Sequence, residues 1–390
     1  MGRGGRSLGQ FVNWPPAHRN TLPLLYRNMK NRLSLLPLAG LLTLVTPCSF
    51  LSAQTAQPYK IVNSAQFAGA GGIDYVTADS DGRRLYVPRG SEVMVFDLDT
   101  LKSVGAVANT RAHGAAIDPK SHHGFSSSSP VTMWDTTTLA TIKTIAVEGR
   151  PDGILFEPAT QRVLVLSHSA PNITVIDAKD GSIVGTIDLG GAPEQAASDG
   201  KGRLYVDIED KDNVAVVDMN TLKVTANYDL SSKGKTPAGL ALDAKNGILF
   251  AFCRNPAVAV VLSAADGKIL ASLPIGSGTD GGGFNPATME AFSSQGDGTL
   301  TIIKENSPTS FEVSQTVQTK SRAKTCTLDT KKNQIVVITT SPLPASAQPA
   351  AAPAAPAPAT PPAADQGGQR GGKKGGGGGP SMLDILVVGR

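Results

Sequence analysis

Four stretches of this chain share one pattern, and their spacing constrains the fold more than any other feature of the sequence. Residues 91–101 read S-E-V-M-V-F-D-L-D-T-L, 130–139 P-V-T-M-W-D-T-T-T-L, 172–181 N-I-T-V-I-D-A-K-D-G and 213–222 N-V-A-V-V-D-M-N-T-L. Each is an apolar alternation that ends in an Asp and a turn, after which a second strand begins. The strand-ending Asp97, Asp135, Asp177 and Asp218 lie 38, 42 and 41 residues apart, and Ser263 takes the same place 45 residues later. A second marker runs in phase with the first: Asp79, Asp118, Glu157, Asp199, Asp243, Asn285 and Asp329, at spacings of 39, 39, 42, 44, 42 and 44. These markers count seven units.

Within a unit the order is constant. The third runs G-I-L-F-E-P, R-V-L-V-L-S, N-I-T-V-I-D and S-I-V-G-T-I-D-L, four short strands rich in Val, Ile, Leu and Thr between Gly, Asp, Asn and Pro turns. Four-stranded repeats of about 40 residues predict an all-β, seven-bladed β-propeller with four antiparallel strands per blade. No stretch of the repeat carries a helical period. Unit seven has its first strand at 323–329, its second at 334–340 and its third only at 382–389, where the sequence ends. Its fourth strand is expected from residues 59–67, Y-K-I-V-N-S-A-Q-F, so that an N-terminal strand completes the last blade. Closing the ring in this way removes the open edges of an unclosed array.

The repeat makes 54–390 one domain. Residues 1–28 are read as an unstructured leader or as sequence ahead of the true start, Met29. Met29-Lys30-Asn31-Arg32 then precedes an uncharged run that ends L-S-A at 53, the layout of a secretory signal peptide, which predicts a periplasmic or secreted protein. Residues 1–53 hold six of the 36 basic residues and none of the 32 acidic ones. The remainder is therefore 30 against 32, a net −2, and global charge gives no reason to expect nucleic acid as a partner. Cys253 and Cys326 fall two blades apart, so no disulfide is expected between them, and no zinc-type cysteine spacing occurs. Residues 341–381, a Pro/Ala tract followed by a Gly-rich run with Arg370, Lys373 and Lys374, have the composition of a disordered linker. They are inserted between the second and third strands of unit seven.

Blades such as R-L-Y-V-D-I-E-D-K-D-N-V-A-V-V-D-M-N-T-L-K-V (203–224) resemble the YVTN repeat of the YncE-like β-propellers. The resemblance covers about 59–340 and the final strand. It departs from the pattern in blade two, where residues 124–129 replace the L-Y-V strand, and in blade six, which reads L-T-I-I-K-E-N. It implies an exported protein of a family without an established catalysis. The haem and copper relatives carry Cys-x-x-Cys-His or arrays of His, neither of which is present, so no cofactor is implied.

Antiparallel order places the blade-to-blade crossovers and the loops between second and third strands at one end, around the mouth of the channel, where a propeller offers a concave ligand site. The crossovers there are polar. T-R-A-H-G-A-A supplies Arg111 and His113, E-G-R-P-D-G-I supplies Arg150 and Asp152, and G-A-P-E-Q-A-A supplies Glu194 and Gln195. G-T-D-G-G-G supplies Asp280, and K-S-R-A-K-T-C supplies Arg322 and Lys324. Small neighbours let the strands converge. Arg and Lys at such a mouth point to an anionic, carboxylate-bearing ligand. The same polar groups also suit a solvated channel in which they pair with one another.

His168 belongs to the same end, but two histidines fall short of a catalytic zinc's three ligands, and no metal is assigned. His122-His123 is expected in a solvated turn at the opposite end. Residues 126–129, S-S-S-S, lack a G-x-S-x-G context and read as a polar edge strand or loop. The functional expectation is a binding or scaffold module acting through the channel mouth on a protein or small anionic ligand, as a monomer. The alternatives are a metal-dependent, lactonase-like hydrolase using Glu194, Asp152 and Asp280, and a binder of nucleic acid or envelope polymer through the basic residues of mouth and insert.

Overall fold

The computed structural model describes residues 57–344 and 379–390; the leader, the signal-like run and most of the 341–381 insert lie outside the described residues. Seven four-stranded antiparallel sheets stand around one axis. Blade one runs from the inside outwards as Thr77–Asp79, Arg84–Arg89, Glu92–Asp97 and Ser103–Val107. Blades two to six keep that order from innermost strands Ala115–Asp118, Pro151–Glu157, Pro193–Ser198, Lys235–Asp243 and Thr279–Asn285. Blade seven is built from both ends of the domain: Thr325–Asp329, Gln334–Pro342 and Ser381–Gly389, with Lys60–Gly69 as its outer strand. The outer pair runs from Lys60 opposite Gly389 to Gly69 opposite Ser381, with one bulge between Ile61 and Asn63. The expected closure by an N-terminal strand is what the fold shows.

The core is divided as the repeat is. Each of the seven blade interfaces holds its own apolar cluster, because a blade presents one face of its alternating strands to each neighbour. Leu164, Val175, Leu204 and Val217 fill the interface of blades three and four, for example, and Leu85, Phe96, Ile338 and Ile385 that of blades one and seven.

Both series of in-phase acidic residues turn out to be turn caps. Asp97 accepts bonds from the backbone N–H of Asp99 and Thr100 and from the Thr100 hydroxyl, and Asp135, Asp177 and Asp218 cap the equivalent turns. At the other marker, Asp79, Asp118, Glu157, Asp199, Asp243, Asn285 and Asp329 each accept an N–H two to four residues on. The turn after the third strand ends with a positive φ, taken by Gly181 and Gly267 in blades three and five but by Leu101, Leu139 and Leu222 in blades one, two and four. Leu101 is buried there, and its apolar contacts offset the left-handed backbone.

Asp329 has a second task. The Arg83 guanidinium of blade one spans both its oxygens at 2.8 and 2.7 Å and also reaches Asp99, locking blade one to blade seven. Burial disfavours the Asp329 charge, but the Arg83 guanidinium outweighs it and holds the carboxyl below its usual range. Its stabilising effect is therefore present above the unfolded-state pKa and lost as pH falls through the lower folded-state value. Asp329→Asn is expected to cost about 2 kcal/mol at neutral pH. Urea melts should show the variant and the parent converging at acid pH; a gap that persists there would contradict the linkage.

Two local expectations are corrected. The serine run ends a strand and enters a loop, as expected, but most of it is not solvated. Ser126 closes the second strand of blade two, His123–Ser126, Ser127 and Ser128 follow it in the loop, and all three are buried, while Ser129 is exposed. Their hydroxyls bond to Gly114, Thr132, Pro130 and each other, a polar lattice that the short strand uses in place of ladder partners. The L-Y-V pattern is absent because Trp134 occupies its room: a Cβ on Gly124 would lie 2.1 Å from the indole. His123 is half-buried rather than solvated, with Nδ1 3.0 Å from the Ala178 carbonyl of blade three, while His122 is exposed as expected. Cys253 and Cys326 are free thiols.

Candidate functional site

One position, within the first residues of the innermost strands or just ahead of them, sets the chemistry of the channel mouth. Five residues before each first-strand marker stand Asp74, His113, Asp152, Glu194, Ala238, Asp280 and Lys324, ionisable in every blade but the fifth. Blade five supplies Arg254 instead, from its second strand Ile248–Asn255, and blade three adds His168 from the loop after its second strand Arg162–Ser167. All seven blades thus place at least one charged or titratable side chain at the same end.

These eight side chains close into a ring in which acid and base alternate. His113 Nδ1 lies 2.8 Å from Asp74 and 3.1 Å from Asp152 Oδ1. The other oxygen of Asp152 lies 3.2 Å from His168 Nε2, which is 3.6 Å from Glu194. Glu194 is 4.0 Å from Arg254, Arg254 and Lys324 both grip Asp280, and Lys324 returns to Asp74 at 3.5 Å. Arg254 is further held by Glu209 at 3.0 Å and by the Thr279 carbonyl. Its contact with Glu194 is the longest link in the circuit.

Beneath the ring the channel is closed by two side chains at the next position along. Tyr75 crosses from blade one to blade four, its hydroxyl donating to the Glu194 carbonyl at 3.1 Å and standing 3.4 Å from Glu194 Oε2. Gln195 crosses from blade four, accepting the N–H of Leu240 and of Gly282 and donating to the Gly282 carbonyl. The other blades carry Gly or Thr there, and the strands are close enough to require it. A Cβ on Gly153 would sit 2.7 Å from the Glu194 carbonyl, and one on Gly239 3.0 Å from the Gly281 backbone. Below this floor a cavity of about 380 Å³ is lined by Ile154, Leu155, Phe284, Phe292 and Cys326 among others.

The site is acidic in balance. Its four ring carboxylates face two permanent cations, Arg254 and Lys324, so the ring carries −4 + 2 = −2 when both imidazoles are neutral. The Asp74 carboxylate holds the His113 pKa above its usual value, against the effect of burial. Burial, with the charges of Asp152, Glu194 and Asp74 added to it, holds the Tyr75 hydroxyl protonated far beyond its usual range. Behind the ring, Asp207 of blade four is fully buried; burial and the charge of Glu194 raise its pKa well above the usual carboxylate range.

The residues expected at the mouth separate into two groups. His113, Asp152, Glu194, Asp280 and Lys324 meet in the ring, and Gln195 lies in the floor under it. Arg111, Arg150 and Arg322 are exposed on the crossovers of the same end and form no ion pair among the described residues. Lys324 is not a free cation for an anion to find, because Asp280 and Asp74 already engage it. Asp74, Tyr75 and Arg254 were outside the sequence-based set, as was His168, which was placed at this end without a role. The first was within reach: Asp74 precedes Asp79 by the same five residues that separate His113 from Asp118. Arg254 has no repeat counterpart and carried no such signal.

No family model matches the chain, and no curated protein matches it. Among solved structures it is similar to a chain of one titled "Crystal Structure of Mitotic Checkpoint Complex", with 13% identity, 77% of this chain and 94% of that chain covered, and a TM-score of 0.64. That likeness concerns the fold alone.

Proposed function

We propose that this chain is an exported, YncE-like propeller that works as a binding module through the ringed end of its channel. The observation that carries the reading is the ring itself. A propeller closes through its apolar interfaces, and it needs no charge at the convergence point of seven strands, where each charge is costly to desolvate. A side chain from every blade nonetheless meets there, with three exposed arginines on the surrounding crossovers. Such a mouth offers a ligand a central acidic well and a basic rim, a pattern that fits a small zwitterion or a protein loop better than a polyanion. A phosphate backbone is repelled by the four carboxylates.

The test is native mass spectrometry of the mature protein from its own envelope fraction. A ligand or partner is expected to be retained by the parent and lost from the Arg111→Ala/Arg150→Ala/Arg322→Ala variant. Retention that is the same in both would overturn the mouth as the binding site, and a precursor that stays uncleaved and cytosolic would overturn export. A second reading, a metal-assisted hydrolase, is favoured by one observation only: Asp152, His168 and Glu194 lie within ligand distance of one another.

A further inference from the structure

We propose that Asp152, His168 and Glu194 hold one divalent transition-metal ion, of the zinc or manganese kind, at the base of the channel mouth. The inference deepens the binding-module reading and rests on it, since it names what the acidic well takes.

Three features point to these three side chains. Their ligating atoms lie within 4.8 Å of one another, with His168 Nε2 3.2 Å from Asp152 Oδ2 and 3.6 Å from Glu194 Oε1. Bonds of about 2.1 Å to an ion place neighbouring ligands about 3.0–3.4 Å apart, so small side-chain adjustments suffice. The donors are one imidazole nitrogen and two carboxylate oxygens, a set that suits zinc, manganese or iron(II) and is too nitrogenous for calcium or magnesium. Three protein ligands also leave a position open, as at catalytic rather than structural sites.

The surroundings hold the ligands as a metal site requires. The second oxygen of Asp152, Oδ1, lies 3.1 Å from His113 Nδ1, and Asp74 in turn lies 2.8 Å from the same nitrogen. Tyr75 stands under Glu194. The peptide N–H of His168 donates to the Arg150 carbonyl at 3.3 Å, fixing the loop that carries the imidazole. Such supports orient the donors and strengthen them. Arg254, the one permanent cation paired with Glu194 among the described residues, is drawn aside by Asp280 and Glu209 and stops at 4.0 Å. Charge agrees with geometry: four carboxylates face two permanent cations around the ring, so the well is acidic and suits a cation.

A second cluster, Asp74, His113 and Asp152, shares the central carboxylate. It is the more solvated of the two, with side-chain exposures of 25% and 43% for Asp74 and His113 against 12% and 5% for His168 and Glu194. Burial strengthens an ion's attraction to its ligands, so the inner triad is the assigned one.

The test uses tag-free full chain, stripped with chelator and titrated with Zn²⁺ and with Mn²⁺ by calorimetry. The expected result is one ion per chain. His168→Asn should lose affinity at least about 100-fold while keeping the parent's circular dichroism, and Asp74→Asn should lose no more than about tenfold. Absence of saturable uptake, or uptake that survives His168→Asn, overturns the site. A loss in Asp74→Asn as large as that in His168→Asn overturns the choice of triad. If His168→Asn fails to fold, Glu194→Gln carries the same test. A chain that takes no ion yet still retains a ligand through the arginine rim refutes the metal and leaves the mouth intact.

Discussion

Removing the N-terminal strand, residues 57–69, is expected to unfold the propeller. The first five residues of the strand are exposed, and its apolar contacts, Ala65 and Phe67 against the blade-one interface, are only part of the reason. Its loss strips the whole outer edge of Ser381–Gly389, which pairs from Lys60–Gly389 to Gly69–Ser381. It also removes Tyr59, whose hydroxyl reaches Glu290 at 2.8 Å and whose ring lies under Arg390, and the Phe67 carbonyl that satisfies the buried Arg89. Lost ladder bonds and buried contacts together come to on the order of 5–10 kcal/mol, comparable with the whole stability of a typical domain. The truncated chain should therefore appear in the insoluble fraction, its bare edge open to pairing with other copies. A synthetic 57–69 peptide supplied during refolding should restore solubility by adding the strand back. A truncation that remains soluble and melts with the parent would show that the ring does not need this closure. Joining Pro342 to Ser381 by a tight turn makes an instructive contrast. The two residues face each other in the ladder, so a short turn in place of the 38 residues between them keeps the pairing of 335–342 with 381–388 intact.

The fold was legible because each blade repeats one solution to one problem. A strand that must present apolar residues to two neighbours, then turn within a few residues, returns to the same Asp at the same place. Strand boundaries were less legible. The second strand of blade seven continues to Pro342, and the outermost strand of that blade to Gly69, because pairing across the ladder extends strands beyond their apolar stretch. Blade two resisted the pattern for a reason that no local rule contains. Whether a serine run is a solvated loop or a buried lattice depends on the Trp134 ring across the ladder and on Gly114 of the neighbouring strand.

The mouth was legible by the same periodicity. Six of its residues share a five-residue offset from the marker, and polar crossovers drew attention to five of those six. What the sequence withheld was the pairing. Lys324 reads as a free cation in K-S-R-A-K-T-C and becomes half of an ion pair only when blade six places Asp280 beside it. His168 and Arg254 come from loops or strand ends of variable length, where no offset is kept, and only the closed ring shows that they complete it.

Asp280→Ala should show how tightly the ring works as one unit. Asp280 is 8% exposed and engages both permanent cations of the ring. Deleting a buried partner costs about 3–5 kcal/mol when the remaining charge is stranded. Here the cost should be smaller, about 2–3 kcal/mol, because Arg254 and Lys324 keep Glu209 and Asp74 and are partly solvated. The expected signature is a lowered urea midpoint with unchanged slope, reduced in a double variant that also carries Lys324→Met, since that change removes one of the stranded charges. The same substitution reaches the proposed ion without touching its ligands. Freed from Asp280, Arg254 keeps Glu209 and the Thr279 carbonyl but loses the carboxylate that draws it furthest from Glu194, and its guanidinium then competes with the cation for Glu194. Zinc affinity is expected to fall about tenfold, the size of a lost supporting contact rather than of a lost ligand. Unchanged zinc affinity in a clearly destabilised Asp280→Ala chain would mean that the two halves of the ring are independent, with Arg254 and Lys324 serving stability alone.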